Sequence, residues 1–121
     1  MSKIESARVK TSARVLGEKG EDAAAAWYVK DGWRIVARNW HCREGELDIV
    51  ATKDDVVVFC EVKSRASERF ADPALAVDFR KQQKLRKAAF RWLARQPWHE
   101  QLRFDVAIVV RGQVRIIENA F

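Results

Sequence analysis

Two charged positions sit inside runs that are otherwise apolar: Asp48 within Leu47-Asp48-Ile49-Val50-Ala51, and Glu61-Val62-Lys63 directly after the run Val56 to Cys60. A carboxylate or ammonium buried without a partner costs several kcal/mol, so these charges need one another or a metal ion. The strands that carry these runs, Glu46–Thr52 and Val56–Ser64, are joined only by Lys53-Asp54-Asp55, a turn short enough to make them neighbours in a hairpin. Side chains alternate along a strand, which assigns Glu46, Asp48 and Val50 to one face and Leu47, Ile49 and Ala51 to the other. On the next strand Phe59, Glu61 and Lys63 share a face, opposite Val58, Cys60 and Val62. If the two charged faces coincide, two carboxylates and one ammonium converge.

The rest of the chain supplies a frame for that hairpin. Residues 1–16 are basic and poor in periodicity and read as a flexible arm, and residues 17–121 read as one domain, since 121 residues are too few for two ordinary cores. Four consecutive alanines, Ala23 to Ala26, suit a helix that lies close to a sheet and ends at Asp31-Gly32. Strands are expected at Trp33–Arg38, Glu46–Thr52 and Val56–Ser64, with a polar loop over Asn39–Gly45. A helix follows over Ala74–Gln96, stopped by Pro97, and two strands close the chain at Leu102–Val110 and Gln113–Glu118 around Arg111-Gly112. The order is αβββαββ, an α/β fold. Asp105 is expected to be structural, paired with Arg103 or a neighbouring basic residue. Two cysteines without metal-ligand spacing, no bilayer-length apolar run and no secretory leader point to a reducing cytoplasm and away from membranes.

Paired carboxylates with a lysine two residues on match what phosphodiester hydrolysis by a hard cation requires. Mg²⁺ takes about six oxygens near 2.1 Å, usually one or two of them carboxylate, with water and phosphate oxygens filling the rest. Asp48 and Glu61 supply the carboxylates, the main-chain carbonyl of Val62 a third oxygen, and Lys63 can orient or deprotonate a water and stabilise the transition state. A plain cross-strand ion pair between Lys63 and either acid is the competing reading. Glu21 shares the sheet-facing side of the first helix and can approach the cluster, or else simply complement the helix dipole.

The balance of 23 Lys and Arg against 17 Asp and Glu, +6 overall, favours an anionic partner. Seven of the basic residues and no acid lie between Phe79 and Pro97. Arg80, Lys84, Lys87, Arg91 and Arg95 form one stripe, the footprint of a surface that meets a phosphate backbone. Lys81 points instead towards the sheet, either to the carboxylates and the scissile phosphate or as a snorkelling side chain.

These stretches, with Gly17-Glu18-Lys19-Gly20-Glu21-Asp22-Ala23-Ala24, Arg38-Asn39-Trp40, Gly45 to Ala51, Val58 to Arg65, Lys81 to Leu93 and Arg103 to Val106, resemble the bacterial YraN-like family. That family is related to Holliday junction resolvases and to PD-(D/E)xK nuclease proteins. The resemblance implies a restriction-endonuclease-like fold with a mixed central sheet flanked by helices. It places Asp48, Glu61 and Lys63 at the D…E-x-K positions, Glu21 at the helix glutamate of resolvase-like members, and Arg65 and Lys81 at further polar positions. It implies an endonuclease using Mg²⁺, with Mn²⁺ as a substitute, on DNA that is branched or otherwise structured. Resolvase-like relatives commonly act as homodimers, although no dimer interface is visible in the sequence. Glu44 and Ala71 depart from the glycines frequent at their positions. A non-catalytic nucleic-acid-binding or accessory domain that keeps the fold is the alternative, and a protein-interaction module a third.

Overall fold

The computed structural model describes residues 12–67, 77–96 and 101–121. Its elements are α1 (Ser12–Lys30), β1 (Arg34–Cys42), β2 (Gly45–Lys53), β3 (Val56–Arg65), α2 (Phe79–Leu93), β4 (Gln101–Val110) and β5 (Gln113–Ile117), in the expected αβββαββ order. Several boundaries differ from the sequence expectation, among them the end of α2, which stops at Leu93 and not at Gln96. Residues 12–16, assigned above to the arm, belong to α1, and residues 1–11 lie outside the described residues. β1 continues through most of the expected loop because its ladder with β2 runs on to Cys42–Gly45. Helix α2 begins only at Phe79, where the Asp78 carboxylate caps it by accepting the Lys81 N–H at 2.8 Å. The expected helical positions 74–76, the departure Ala71 and the stop at Pro97 fall outside the described residues.

Chain reversals follow local chemistry. Helix α1 closes in a Schellman motif, with Gly32 N–H bonded to Val29 carbonyl and Trp33 N–H to Tyr28 carbonyl, and Gly32 at φ +93° supplies the left-handed residue. Arg111 and Gly112 both have positive φ, as a tight turn between β4 and β5 requires.

The five strands form one mixed sheet in chain order, parallel only between β3 and β4, with α2 as the crossover. Each helix covers one face. Ala24, Ala25 and Tyr28 of α1 pack with Ile49, Val58, Cys60 and Ala107. Leu85, Ala88, Ala89 and Trp92 of α2 pack with Val50, Val57, Phe59 and Ile108. Burial on both faces explains why β3 reads as a continuous apolar run. Among the described residues no helix is long and apolar enough to cross a membrane.

Strict alternation fails in β2. Leu47 joins the α2-side cluster and Ile49 the α1-side cluster, although the sequence reading put them on one face. The β2–β3 ladder ends at Ile49–Cys60, so beyond it β2 keeps its pairing with β1 but not with β3, and its side chains need not follow the alternation set by β3.

Asp105, fully buried, is saturated with donors. It accepts from Tyr28 Oη at 2.7 Å, Arg103 Nε at 2.9 Å and Nη2 at 2.8 Å, and Asn119 N–H at 3.0 Å, as its expected pairing with Arg103 requires. Tyr28→Phe removes one donor and is expected to cost about 1–2 kcal/mol. Asp105→Ala strands the other groups and should cost about 3–5 kcal/mol. Urea unfolding measures both, and equal effects would contradict a cooperative network.

Candidate active site

Where β2 and β3 part, their edges face each other across a gap. Val62 N–H spans it to Asp48 Oδ2 at 2.9 Å, taking the place of a ladder bond. A strand residue directs its N–H and C=O to the same side, so the Val62 carbonyl borders the gap that holds the Asp48 carboxylate. Glu61, only 7% exposed, lies beside it and keeps company with two ammonium groups. Lys63 Nζ is 3.6 Å from Glu61 Oε1, and Lys81 Nζ, from the first turn of α2, is 3.7 Å from the same oxygen.

These groups form one electrostatic unit. Burial and then the Asp48 charge push Glu61 up to about 7, against the pull of Lys81 and Lys63. Asp48 is also raised, first by burial; the Val62 N–H opposes this, Glu46 adds to it, and Lys81 and Lys63 offset it. Ammonium groups within reach of both acids show that the gap tolerates, and partly depends on, positive charge.

Asp48 also borders a cavity of about 610 Å³ on the α1 side, lined by Glu21, Asn39, His41, Glu46 and Val62 among others. Glu21 enters it from α1. Its Oε1 accepts from Asn39 Nδ2 at 2.8 Å and Arg38 Nε at 3.1 Å, while Arg38 Nη2 also binds Asp22 at 2.6 Å. Neighbouring strand residues ordinarily face opposite ways. Asn39 escapes that rule through its left-handed backbone (φ 50°), which lets Arg38 and Asn39 grip one carboxylate. Burial raises Glu21, Arg38 opposes the shift, and Asp48 reinforces it. His41 and Glu46 face each other at 3.7 Å on the rim.

The structure therefore gathers Asp48, Glu61, Lys63, Lys81 and the Val62 main chain at one gap, and brings Glu21 to the same cavity as Asp48. The simple face-sharing expected for Asp48 is corrected: it stands at the seam between the two sides, in electrostatic reach of Glu21 on one and Glu61 on the other. Arg80, Lys84 and Lys87 are exposed along α2, and Arg95, expected in the same stripe, is exposed in the turn just beyond the helix end. Arg91, counted in the same stripe, is tied to Glu44 of the β1–β2 turn at 2.7 and 3.0 Å. Arg65 Nη1 donates to the Ser64 carbonyl at 2.9 Å. The sequence reading assigned no site role to Arg38, Asn39, His41 or Glu46. An asparagine, tolerant of positive φ, directly after an arginine was the one available signal.

Among the described residues no three His, Cys, Asp or Glu side chains form a metal cage. The donors that are present, two carboxylates and one carbonyl, suit a hard cation that keeps most of its water, not zinc.

A mixed α/β domain with a lysine–carboxylate cluster where two antiparallel strands separate is the class these observations define. Residues 20–109 match the model of "Uncharacterised protein family UPF0102", and the chain belongs to that family, the YraN-like one its motifs resemble. It is 47% identical to a UPF0102 protein of Frankia casuarinae over 88% of this chain and 95% of that protein. It is 48% identical to one of Bifidobacterium longum over 87% and 91%, and 44% identical to one of Myxococcus xanthus over 88% and 86%.

Because the folded-state pKa of Glu61 lies above the ordinary 4.5, Glu61 holds its proton more tightly in the folded protein than in the unfolded chain between pH 4.5 and about 7, and its contribution to stability falls as pH rises through that window. Glu61→Gln should flatten this part of the stability curve measured by denaturant unfolding in a chelator. A variant curve parallel to the parent's would refute the assignment.

Proposed function

We propose that this protein is a divalent-cation-dependent endonuclease of the restriction-endonuclease-like fold, acting on DNA in the cytoplasm, with branched or otherwise structured DNA as its substrate class. The observation that supports this most is the meeting of Asp48, Glu61 and Lys63 in the β2–β3 gap, where Val62 N–H binds Asp48, with Lys81 of the basic helix 3.7 Å from the same glutamate. Asp48, Glu61 and the Val62 carbonyl hold the cation. A bound Mg²⁺, or Mn²⁺ in its place, supplies neutralisation of phosphate charge and acidification of a water.

Lys63 donates hydrogen bonds to the non-bridging phosphate oxygen as charge develops there. Glu21, with Oε1 held by Arg38 and Asn39 and its pKa raised, has a second oxygen with which to take a proton on the cavity side. Arg80, Lys84, Lys87 and Arg95 carry the flanking backbone, with Arg65 at the end of β3, and two copies acting together cut both strands. A second reading has one observation of its own: two ammonium groups already accompany Glu61, so the cluster can stand without a cation and serve a binding domain that never cuts.

Purified protein with four-way, flapped and linear DNA in Mg²⁺ or Mn²⁺ separates the two. Asp48→Ala and Lys63→Ala should each lower cleavage at least about 100-fold while leaving binding intact. Binding by the parent without cleavage in either metal would overturn hydrolysis. Lys84→Ala and Lys87→Ala should each reduce the slope of log Kd against log salt by about 1, read by fluorescence anisotropy.

A further inference from the structure

Helix α2 has two exposed edges of opposite character. One is the basic stripe. The other follows from the same spacing of 100° per residue, which gathers Phe79, Gln83, Arg86, Phe90 and Leu93 in one narrow sector on the other side of the buried face. Phe79 and Phe90 are 72% and 68% exposed there. Beside Phe90 a groove of about 360 Å³ opens between α2 and the start of β4, lined by Leu93, Leu102, Phe104 and Phe121 among others. That is the low end of the roughly 300–1,000 Å³ of ligand pockets, room for one bulky side chain. Leu102, itself 41% exposed, continues the apolar surface across the groove, and a contiguous patch of this kind marks an interaction site.

Arg86 gives the groove its sign. Its guanidinium lies over the Phe104 and Phe121 rings at 5.2 and 5.4 Å, which sets its position and leaves its N–H groups to other partners. Among the described residues no carboxylate pairs with it, and no acidic side chain lines the groove. Arg86 and exposed Lys87 both stand one turn before Phe90, so the protruding ring is flanked by two cations.

Charge decides between occupants. A second copy docked edge to edge would set Arg86 and Lys87 against their own counterparts. A nucleic-acid strand needs a row of cations for its phosphates, and that row lies on the opposite edge of the helix. An aromatic ring followed or preceded by a carboxylate satisfies both the apolar lining and the unpaired guanidinium.

We propose that this groove docks a partner protein through a short acidic segment carrying one aromatic side chain, the ring seated against Leu102 and Phe104 and a neighbouring carboxylate paired with Arg86. One buried anchor with a charge-assisted bond at its edge is the form that interaction hot spots take. Leu102 and Phe104 lie opposite Val57 and Phe59, towards the start of β3, and Phe90 lies nine residues along α2 from Lys81, roughly 13 Å. A docked segment therefore leaves the Asp48 gap open, and the inference holds whether or not that gap hydrolyses DNA.

The test is binding, by anisotropy, of a labelled Asp- and Glu-rich peptide with one central Trp, beside the same peptide with Ala in place of Trp. The Trp peptide is expected to bind at least about tenfold tighter. Phe90→Ala and Arg86→Gln should each weaken it about fivefold or more, whereas Lys19→Ala, which removes an exposed charge from α1, should leave it unchanged. Amide shift mapping on the parent, which needs no variant, should place the perturbations at Arg86, Phe90 and Leu102. Equal binding of the two peptides, an equal loss in Lys19→Ala, or shifts confined to other residues overturns the proposal. A parent dimer that Phe90→Ala dissociates in sedimentation would assign the groove to a second copy and overturn it as well. So would oligo(dT) binding that falls as much in Phe90→Ala as peptide binding does, since the groove would then hold nucleic acid.

Discussion

The hydrogen bond from Val62 N–H to Asp48 is the contact on which the site's geometry depends. A sheet edge that opens must satisfy its main-chain groups elsewhere. Here one carboxylate oxygen accepts the N–H that β2 no longer meets, and this fixes the carboxylate beside the Val62 carbonyl and next to Glu61. The same bond lowers the cost of keeping Asp48 ionised in a half-buried gap. Closing the ladder by one more pair would remove both the space and the donor set. The interruption is therefore a property of the site, and the continuous pairing of β3 with β4, from Val56 to Arg65, is what keeps the other wall of the gap rigid.

Two buried acids in this fold sit in very different environments. Asp105 meets four donors within 3.0 Å and ties α1, β4 and the chain after β5 together. Glu61 is nearly as buried, yet its nearest cations stand at 3.6 and 3.7 Å, too far for short charge-assisted hydrogen bonds. Burial and then the Asp48 charge push its pKa up to about 7 despite the two cations. A stability-driven design would have supplied closer donors. Perturbed, under-satisfied acids at a cleft are candidates for a functional site, which is the ground on which Glu61 enters the proposal above.

Most of the frame was legible because its signals are local. The apolar run of β3, the alanines of α1, the Arg111-Gly112 turn and the α2 stripe each report their own element, and the αβββαββ order follows from them. Periodicity also identified Asp48, Glu61 and Lys63 as charges that must meet. It could not show how Asp48 meets them, because alternation presumes an unbroken strand and the break occurs at that residue. The grip of Arg38 and Asn39 on Glu21 was equally hidden. It needs a positive φ inside β1, where a polar sequence reads as loop, and it joins residues 17 and 18 positions apart. Helix α2 was overestimated at its start because apolar spacing does not register a cap such as Asp78.

The basic stripe of α2 illustrates why a charge pattern is not yet an interface. Arg80, Lys84, Lys87 and Arg95 remain exposed, but Arg91 is occupied by Glu44, and that pair fastens the β1–β2 turn to the helix. Because both partners lie at the surface, the bond itself adds little to stability. Its effect is positional. It fastens the turn between β1 and β2 to the last turn of α2, at the end of β2 beyond its ladder with β3. Lys81, at the other end of the helix, reaches Glu61 in the gap. One helix thus presents cations outward while its two ends meet the β1–β2 turn and Glu61, and any surface that recognises phosphate along α2 is held in register with the carboxylates by the same side chains.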